Sequence, residues 1–379
     1  MEYKIRLNIF GDLVPINRGI EAVSNGTAIS EDIISVIKQT DYNIVNLECP
    51  IVSNPKAKPI LKDGPNLRCS EETVKYLKTT GFNLCTLANN HFKDYGEEGI
   101  EDTFKACKEN GIEWVGAGRN MNEARIPKII ETKGMKVGII NICENESSIA
   151  TEDEAGSNPI DEINNYYDII QLRDKVDKII LIIHGGVEHY RLPSPRVKKL
   201  CHFYADLGVS AIICHHTHCY SGYETYHSVP IFYSLGNFFF DRKEKPLQWK
   251  TGYFVQLQVT PNTTEFELFP YIQCDEVATV RLLEEKVAFE NDVKKLNAII
   301  ADDTLLKKQY GKWLEKRYRH YMTGAMTWGG KYFKAAYRRK LAPTLISKRN
   351  ATILLNYIRC ETHHDLFIKT LHKYINKNA

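Results

Sequence analysis

The chain has 379 residues, 43% of them apolar and 26% charged, with a mean hydropathy of −0.35. Such a composition fits a globular chain of about two or three domains and excludes a disordered, fibrous or low-complexity one. No apolar run approaches the roughly 18 residues that a membrane-spanning helix needs, and the net charge is only +3.

Met1-Glu2-Tyr3-Lys4 runs straight into Ile5-Arg6-Leu7-Asn8-Ile9-Phe10. That start is too short and too charged for a signal-peptide core, so a cytoplasmic location is expected. Runs rich in Ile, Val, Phe and Tyr predict strands. In chain order they are Lys4–Phe10, Asn43–Leu47, Phe82–Leu87, Lys136–Ile142, Lys178–Ile183, Val209–Cys214, Pro230–Ser234, Tyr253–Val259 and Glu265–Ile272. Between them, Ser30-Glu31-Asp32 and Ser70-Glu71-Glu72 have the N-cap serine and first-turn acids of helix starts. Gly81 is placed to end the second of these helices. Glu97–Asn110 and Pro195–Leu207 read as further helices, ended by Gly111 and Gly208. Strands alternating with helices predict an α/β core, and near-continuous apolar strands predict cover on both faces. Pro261-Asn262-Thr263-Thr264 joins the last two strands without a helix, which predicts a hairpin and a mixed sheet.

From about residue 286 the pattern becomes helix after helix. Between Thr304 and Asn350, 13 Lys plus Arg stand against Glu315 alone, a local charge of +12 that leaves −9 for the rest. A boundary near residue 285 is expected, with residues 286–379 a basic, aromatic-rich helical region. Its Tyr310, Trp313, Tyr318, Tyr321, Trp328, Tyr332, Phe333 and Tyr337 interleave with cations. That pattern fits helices whose aromatics pack inward while charges face water, or a peripheral contact with an anionic membrane or partner. No nucleic-acid motif accompanies it. The ten cysteines are scattered with no CxxC pair, and reduced buried thiols are expected.

Polar residues concentrate at the predicted strand ends: Gly11-Asp12, Asn46-Leu47-Glu48, Asn89-Asn90-His91, His184-Gly185-Gly186-Val187-Glu188 and His215-His216-Thr217-His218. Ligands of open α/β sheets bind beyond the carboxyl ends of strands. Imidazole, carboxylate and amide donors without cysteine suit divalent metals in a hydrolytic rather than a structural zinc site. Period-two spacing on an extended segment would put His216 and His218 on one side. His363-His364, in a predicted helix with no matching carboxylates, reads as structural.

These motifs, with Tyr95-Gly96-Glu97-Glu98-Gly99, Gly116-Ala117-Gly118 and Tyr233-Ser234-Leu235-Gly236-Asn237-Phe238, resemble the CapA family. This is the capsule or poly-γ-glutamate synthesis group of the calcineurin-like metallophosphoesterase superfamily. The resemblance spans about residues 4–245. It implies an αββα sandwich with mixed sheets and one or two divalent ions (manganese, iron or zinc) at one edge, acting on an anionic substrate or polymer. It gives Asp12 and His218 to one metal, Asn90, His184 and His216 to a second, and Glu48 to both. His91 becomes the general acid or anion stabiliser. The superfamily often has a histidine where this chain has Val14, and an aspartate where it has Glu48. His215 is left outside the ligand set. Glu188, Arg18, Lys93 and Arg191 are candidates for holding substrate. A phosphoesterase-like hydrolase is expected, and a non-catalytic metal-containing polyanion binder or assembly protein is the alternative.

Overall fold

In the computed structural model, which describes residues 4–242, 244–325, 330–359 and positions 363, 364, 367, 368, 370, 371, 374 and 375, alternate side chains of the central strands enter different layers. Ile180 and Ile182 face a core shared with Leu7, Ile9, Ile44, Ile139 and Ile213. Ile179, Leu181 and Ile183 face the opposite way, onto Ile169, Leu172, Leu200 and Tyr204. This is the period of two inherent in a strand. Both faces are apolar because both are covered, which is why these strands read as continuous apolar runs.

The strands form two large sheets. The first runs in the order Val280–Leu282, Thr264–Gln273, Thr251–Val259, Ile5–Val14, Tyr42–Leu47, Leu84–Thr86, Glu113–Val115, and Asn237–Phe240 also pairs with Ile5–Val14. The second is Tyr223–Tyr226, Val229–Phe232, Ala211–His215, Lys178–His184, Met135–Cys143, Lys128–Thr132. Parallel pairs make up the half of the first sheet from Ile5–Val14 to Glu113–Val115 and the middle of the second. The expected hairpin is present, with Thr251–Val259 antiparallel to Thr264–Gln273. Helices Glu31–Lys38, Glu71–Thr80 and Gly96–Asn110 cover the outer face of the first sheet. Glu162–Arg173 and Pro195–Asp206 cover the second. The result is the αββα sandwich with mixed sheets that the family resemblance implies.

Ser30 and Ser70 sit at the N-caps with extended backbone, and Gly81 ends its helix at φ 105°, a region that glycine enters without a Cβ clash. The helix Glu162–Arg173 escapes the sequence reading because its apolar face is thin. It starts at Asp161, whose carboxylate accepts from the amides of Ile163 and Asn164. Short strands such as Lys128–Thr132 and Tyr223–Tyr226 also escape, since a half-exposed edge strand leaves no long apolar run.

The chain divides into compact units at Lys307/Lys308, not near residue 285. The reason is packing. Helix Val287–Ala301 places Phe289, Val293 and Leu296 in the core between the sheets, so it belongs to the first unit despite following the change in composition. The second unit, taken by itself, contains helices Lys331–Arg338 and Lys348–Arg359. Among its described side chains, Tyr337 is buried while Tyr318, Tyr321 and Tyr332 are exposed. No helix among the described residues is long and apolar enough to cross a membrane. The nine described cysteines are free and buried; Cys360 and Trp328 lie outside the described residues.

Candidate metal centre

Asp12 lies near the end of Ile5–Val14, where the register shifts between Asp12 and Leu13. The residue before it is glycine because a Cβ there would stand 2.0 Å from the Gly236 carbonyl oxygen. Glu48 directly follows Tyr42–Leu47, and Asn90 and His91 lie in the turn beyond Leu84–Thr86. From the second sheet, His184 and His215 close adjacent parallel strands as register partners. The carboxyl ends of strands in both sheets therefore deliver the donors to one edge.

His216 and His218 arrive differently from the expectation. The strand stops at His215, and the chain turns with His216 at φ 90° and His218 at φ 57°. An extended segment is not what brings them together. Left-handed backbone at a residue with a Cβ costs about 1–3 kcal/mol and persists where the surrounding structure holds it. Here it aims His216 at His184, ring centroids 4.8 Å apart, and packs the His218 ring against Trp249, tilted, at 4.8 Å.

Two donor groups result: Glu48, His184 and His216, and Asp12, Glu48 and His218, each with its ligand atoms within 4.8 Å of one another. Glu48 is common to both. In the first group, His184 Nε2 lies 3.1 Å from His216 Nδ1, 3.4 Å from Glu48 Oε1 and 3.0 Å from Asn90 Oδ1. In the second, His218 Nδ1 lies 3.6 Å from Asp12 Oδ2 and 3.9 Å from Glu48 Oε2. Both oxygens of Glu48 are buried without a hydrogen-bond partner. A carboxylate so placed is costly unless a cation meets it, so this donor set fits one or two divalent ions.

The electrostatics agree. Burial, then the neighbouring Asp12 and Glu188 charges, push the Glu48 carboxyl well above its ordinary range. Burial and the adjacent His216 hold His184 well below the usual imidazole value. Burial lowers His218 to about 4. Burial disfavours ionisation of Asp12, but the His215 contact and the charges of His184, His215 and His218 outweigh it and hold its carboxyl below the ordinary range. A neutral His184 and His218 with an ionised Asp12 are protonation states that metal binding requires.

Several neighbours orient these groups. Asn46 donates to Asp12 Oδ1 at 2.7 Å, and the His216 amide donates to Asp12 Oδ2 at 3.3 Å. His215, expected outside the ligand set, has Nδ1 3.4 Å from Asp12 Oδ1. Asn237 places Oδ1 2.9 Å from His218 Nδ1. His91 Nδ1 lies 2.7 Å from Asp94 Oδ2, and the buried Lys62 pairs with that same carboxylate. Lys62 Nζ also lies 3.1 Å from His91 Nδ1; the shorter contact, with the acceptor Asp94 Oδ2, favours Nδ1–H as donor and leaves Nε2 for chemistry. Sequence reasoning passed over Asp94, although a His-x-x-Asp turn was visible; Lys62, from a long loop, had no local signal. Val14 packs in the apolar layer under the helices.

The other candidates fare unevenly. Glu188 is exposed at the rim, where His218 and His216 outweigh burial and keep its carboxyl below the ordinary value. The three cations are engaged elsewhere. Arg18 pairs with Asp241 at 2.7 Å, and Lys93 with Glu154 at 2.9 Å. Arg191 pairs with Asp292 and lies 4.2 Å over the Tyr220 ring. Each has the structural partner that a charge near a site commonly has, so none is carried forward as a substrate contact. His363 and His364 are exposed and belong to neither donor group.

Fold and site together define the class: a four-layer αββα protein with a candidate paired-metal centre at the strand ends of both sheets. The family described as "Bacterial capsule synthesis protein PGA_cap" matches residues 6–242, and the chain belongs to it. It is 32% identical over 250 residues to the capsule biosynthesis protein CapA of Bacillus anthracis, covering 63% of this chain and 60% of that protein. It is 29% identical over 239 residues to the PGA biosynthesis protein CapA of Bacillus subtilis (strain 168), covering 61% and 62%. The chain thus spans about three fifths of the length of these relatives. Among solved structures, a hypothetical protein from Thermus thermophilus aligns with TM-score 0.46 at 13% identity, over 71% of this chain and 99% of that one. A 5'-nucleotidase from Candida albicans aligns with TM-score 0.43 at 11% identity, over 82% and 58%.

Proposed function

We propose that this protein is a metal-dependent hydrolase of capsule or poly-γ-glutamate synthesis, acting on a phosphoester or on an anionic polymer. The observation that carries the proposal is Glu48, a buried carboxylate shared by two donor groups and left without a hydrogen-bond partner. Asp12, Glu48 and His218 would hold one ion, and Glu48, Asn90, His184 and His216 the other. A bound divalent ion supplies Lewis-acid activation of water and of the bond to be broken. His91, held by Asp94, would in its doubly protonated form donate the Nε2 proton to the leaving oxygen or nitrogen, or stabilise charge there. Glu188 would orient a histidine or meet the substrate.

Elemental analysis of purified protein, beside turnover of phosphomonoester, phosphodiester and oligoglutamate substrates with added manganese, tests this reading. Metal with turnover supports it. Metal without turnover of any of them favours the non-catalytic polyanion-binding alternative, for which Val14 in place of a histidine speaks. No metal after loading with manganese, iron or zinc would remove the dimetal assignment.

Metal uptake is also expected to release protons. The Glu48 carboxyl is raised well above its ordinary value in the metal-free cluster, so a larger fraction is protonated near neutral pH than for an ordinary glutamate. An incoming ion displaces that proton, up to about one per chain. Affinity should therefore fall as pH falls and rise as Glu48 ionises. Calorimetric titration in buffers of different ionisation enthalpy measures the proton count.

For the second unit we propose peripheral contact with an anionic surface, favoured by the exposed Tyr318, Tyr321 and Tyr332 among its cations. Co-sedimentation with vesicles containing anionic lipid is expected at low salt and should weaken as salt screens the charges. No binding at either salt would remove this assignment.

A further inference from the structure

We propose that a cleft beside the metal cluster, walled by Arg68 and Arg242, holds the carboxylates of an extended anionic chain of the oligoglutamate type. Only the fate of that chain, not its binding, rests on the hydrolase reading above.

The cleft has a volume of about 630 Å³ and lies between the turn after the first strand, the segment from Val52 to Ser70, and Arg242. No acidic residue is among those that line it. Its two arginines differ from the cations singled out in the sequence. Arg18, Lys93 and Arg191 each have a carboxylate partner, whereas the contacts of Arg68 and Arg242 among the described residues are with rings. Arg68 lies 5.4 Å over Tyr95, and Arg242 lies 5.2 Å over Phe240 and 6.0 Å over Trp249. Stacking holds a guanidinium plane in place while leaving its N–H fork free for a carboxylate. Arg242 Nε is moreover buried without a hydrogen-bond partner, and a buried N–H in that position calls for an acceptor.

The rest of the wall suits the spacer between carboxylates. Ile16, Pro55 and Pro65 offer apolar surface to methylene groups. The Ser70 side chain, at the N-cap of Glu71–Thr80, makes no capping bond and can donate to a ligand. Charge alternating with short apolar stretches is the chemistry of a glutamate polymer rather than of a compact inorganic anion. The cleft is also coupled to the cluster. The Phe240 and Trp249 rings beneath Arg242 pack on His218 at 5.5 and 4.8 Å. At the other wall, Tyr95 follows Asp94, the residue that holds His91.

Fluorescence anisotropy of labelled oligoglutamate on the full chain tests the assignment. Arg68→Ala and Arg242→Ala are each expected to weaken binding about tenfold, and the double variant about a hundredfold. Arg119→Ala, which removes an exposed pair with Glu101, should bind as wild type. Binding should survive chelation of metal, which no reading of the cluster alone requires. Arg68 is exposed, so Arg68→Glu keeps the test valid where loss of Arg242 disturbs the ring stack. Wild-type affinity in Arg68→Glu and in a folded double variant would overturn the proposal. So would arginine-dependent binding of polyphosphate without binding of oligoglutamate. Arginine-dependent oligoglutamate binding with no turnover would leave the cleft standing and count against the hydrolase reading.

Discussion

Glu48→Gln is expected to empty both halves of the metal cluster at once. Every other ligand belongs to one donor group, whereas Glu48 belongs to both. Its oxygens have no hydrogen-bond partner among the described residues, so the carboxylate is left to meet a cation. Glutamine keeps the length and nearly the volume of the side chain but loses the charge, so packing should be retained while affinity falls more than about a hundredfold. Elemental analysis should show close to no metal in this variant. His216→Ala and Asp12→Ala should each lose chiefly the ion of their own group. A melting curve recorded in chelator should be little changed by the substitution, because the layers around Glu48 are held by apolar contacts. A Glu48→Gln protein that keeps the wild-type metal content would show that the carboxylate is not shared.

His91→Ala is expected to do the opposite: keep the metal and lose the reaction. His91 is not a member of either donor group, and its Nδ1 is occupied by Asp94 at 2.7 Å. Removing a positioned general acid lowers turnover by about 10²–10⁴-fold, and the loss should appear in kcat more than in KM. Asp94→Asn should act through the same ring. It weakens the contact that orients the ring and leaves Lys62 without its buried partner, so kcat should fall while the metal is kept. A His91→Ala enzyme that turns over a confirmed substrate at the wild-type rate would end this assignment.

These two residues also mark how far local pattern reaches. The donors were visible because each follows a short apolar run, and a polar residue at the end of a buried strand stands out against its neighbours. Their order along the chain and the family likeness gave the proposed ligand set without coordinates. What geometry adds is that each of the two groups sharing Glu48 combines carboxylate from the first sheet with histidine from the second, a fact that depends on how those sheets face each other. The turn at His216 and His218 was misread for the same reason. Period-two spacing is a local rule, while the left-handed backbone there is held by tertiary contacts with Asp12, His184 and Trp249.

Charge shows the division most clearly. Counting cations near the motifs selected Arg18, Lys93 and Arg191, yet Arg18 meets Asp241, 223 positions along the chain, and no local pattern encodes such a pair. Arg68 and Arg242 carried no signal until their ring contacts and the cleft between them were in view. The boundary near residue 285 followed composition, which reports surface charge, whereas the division at Lys307/Lys308 follows the burial of Phe289, Val293 and Leu296. The sequence by itself determined the α/β class, the strand order along the chain and the chemistry of the donors, because strand periodicity and side-chain type are local properties. Tertiary structure alone decided how His216 and His218 are turned into the cluster, which cations are already paired and where the first unit ends, because those depend on contacts between segments far apart in the chain.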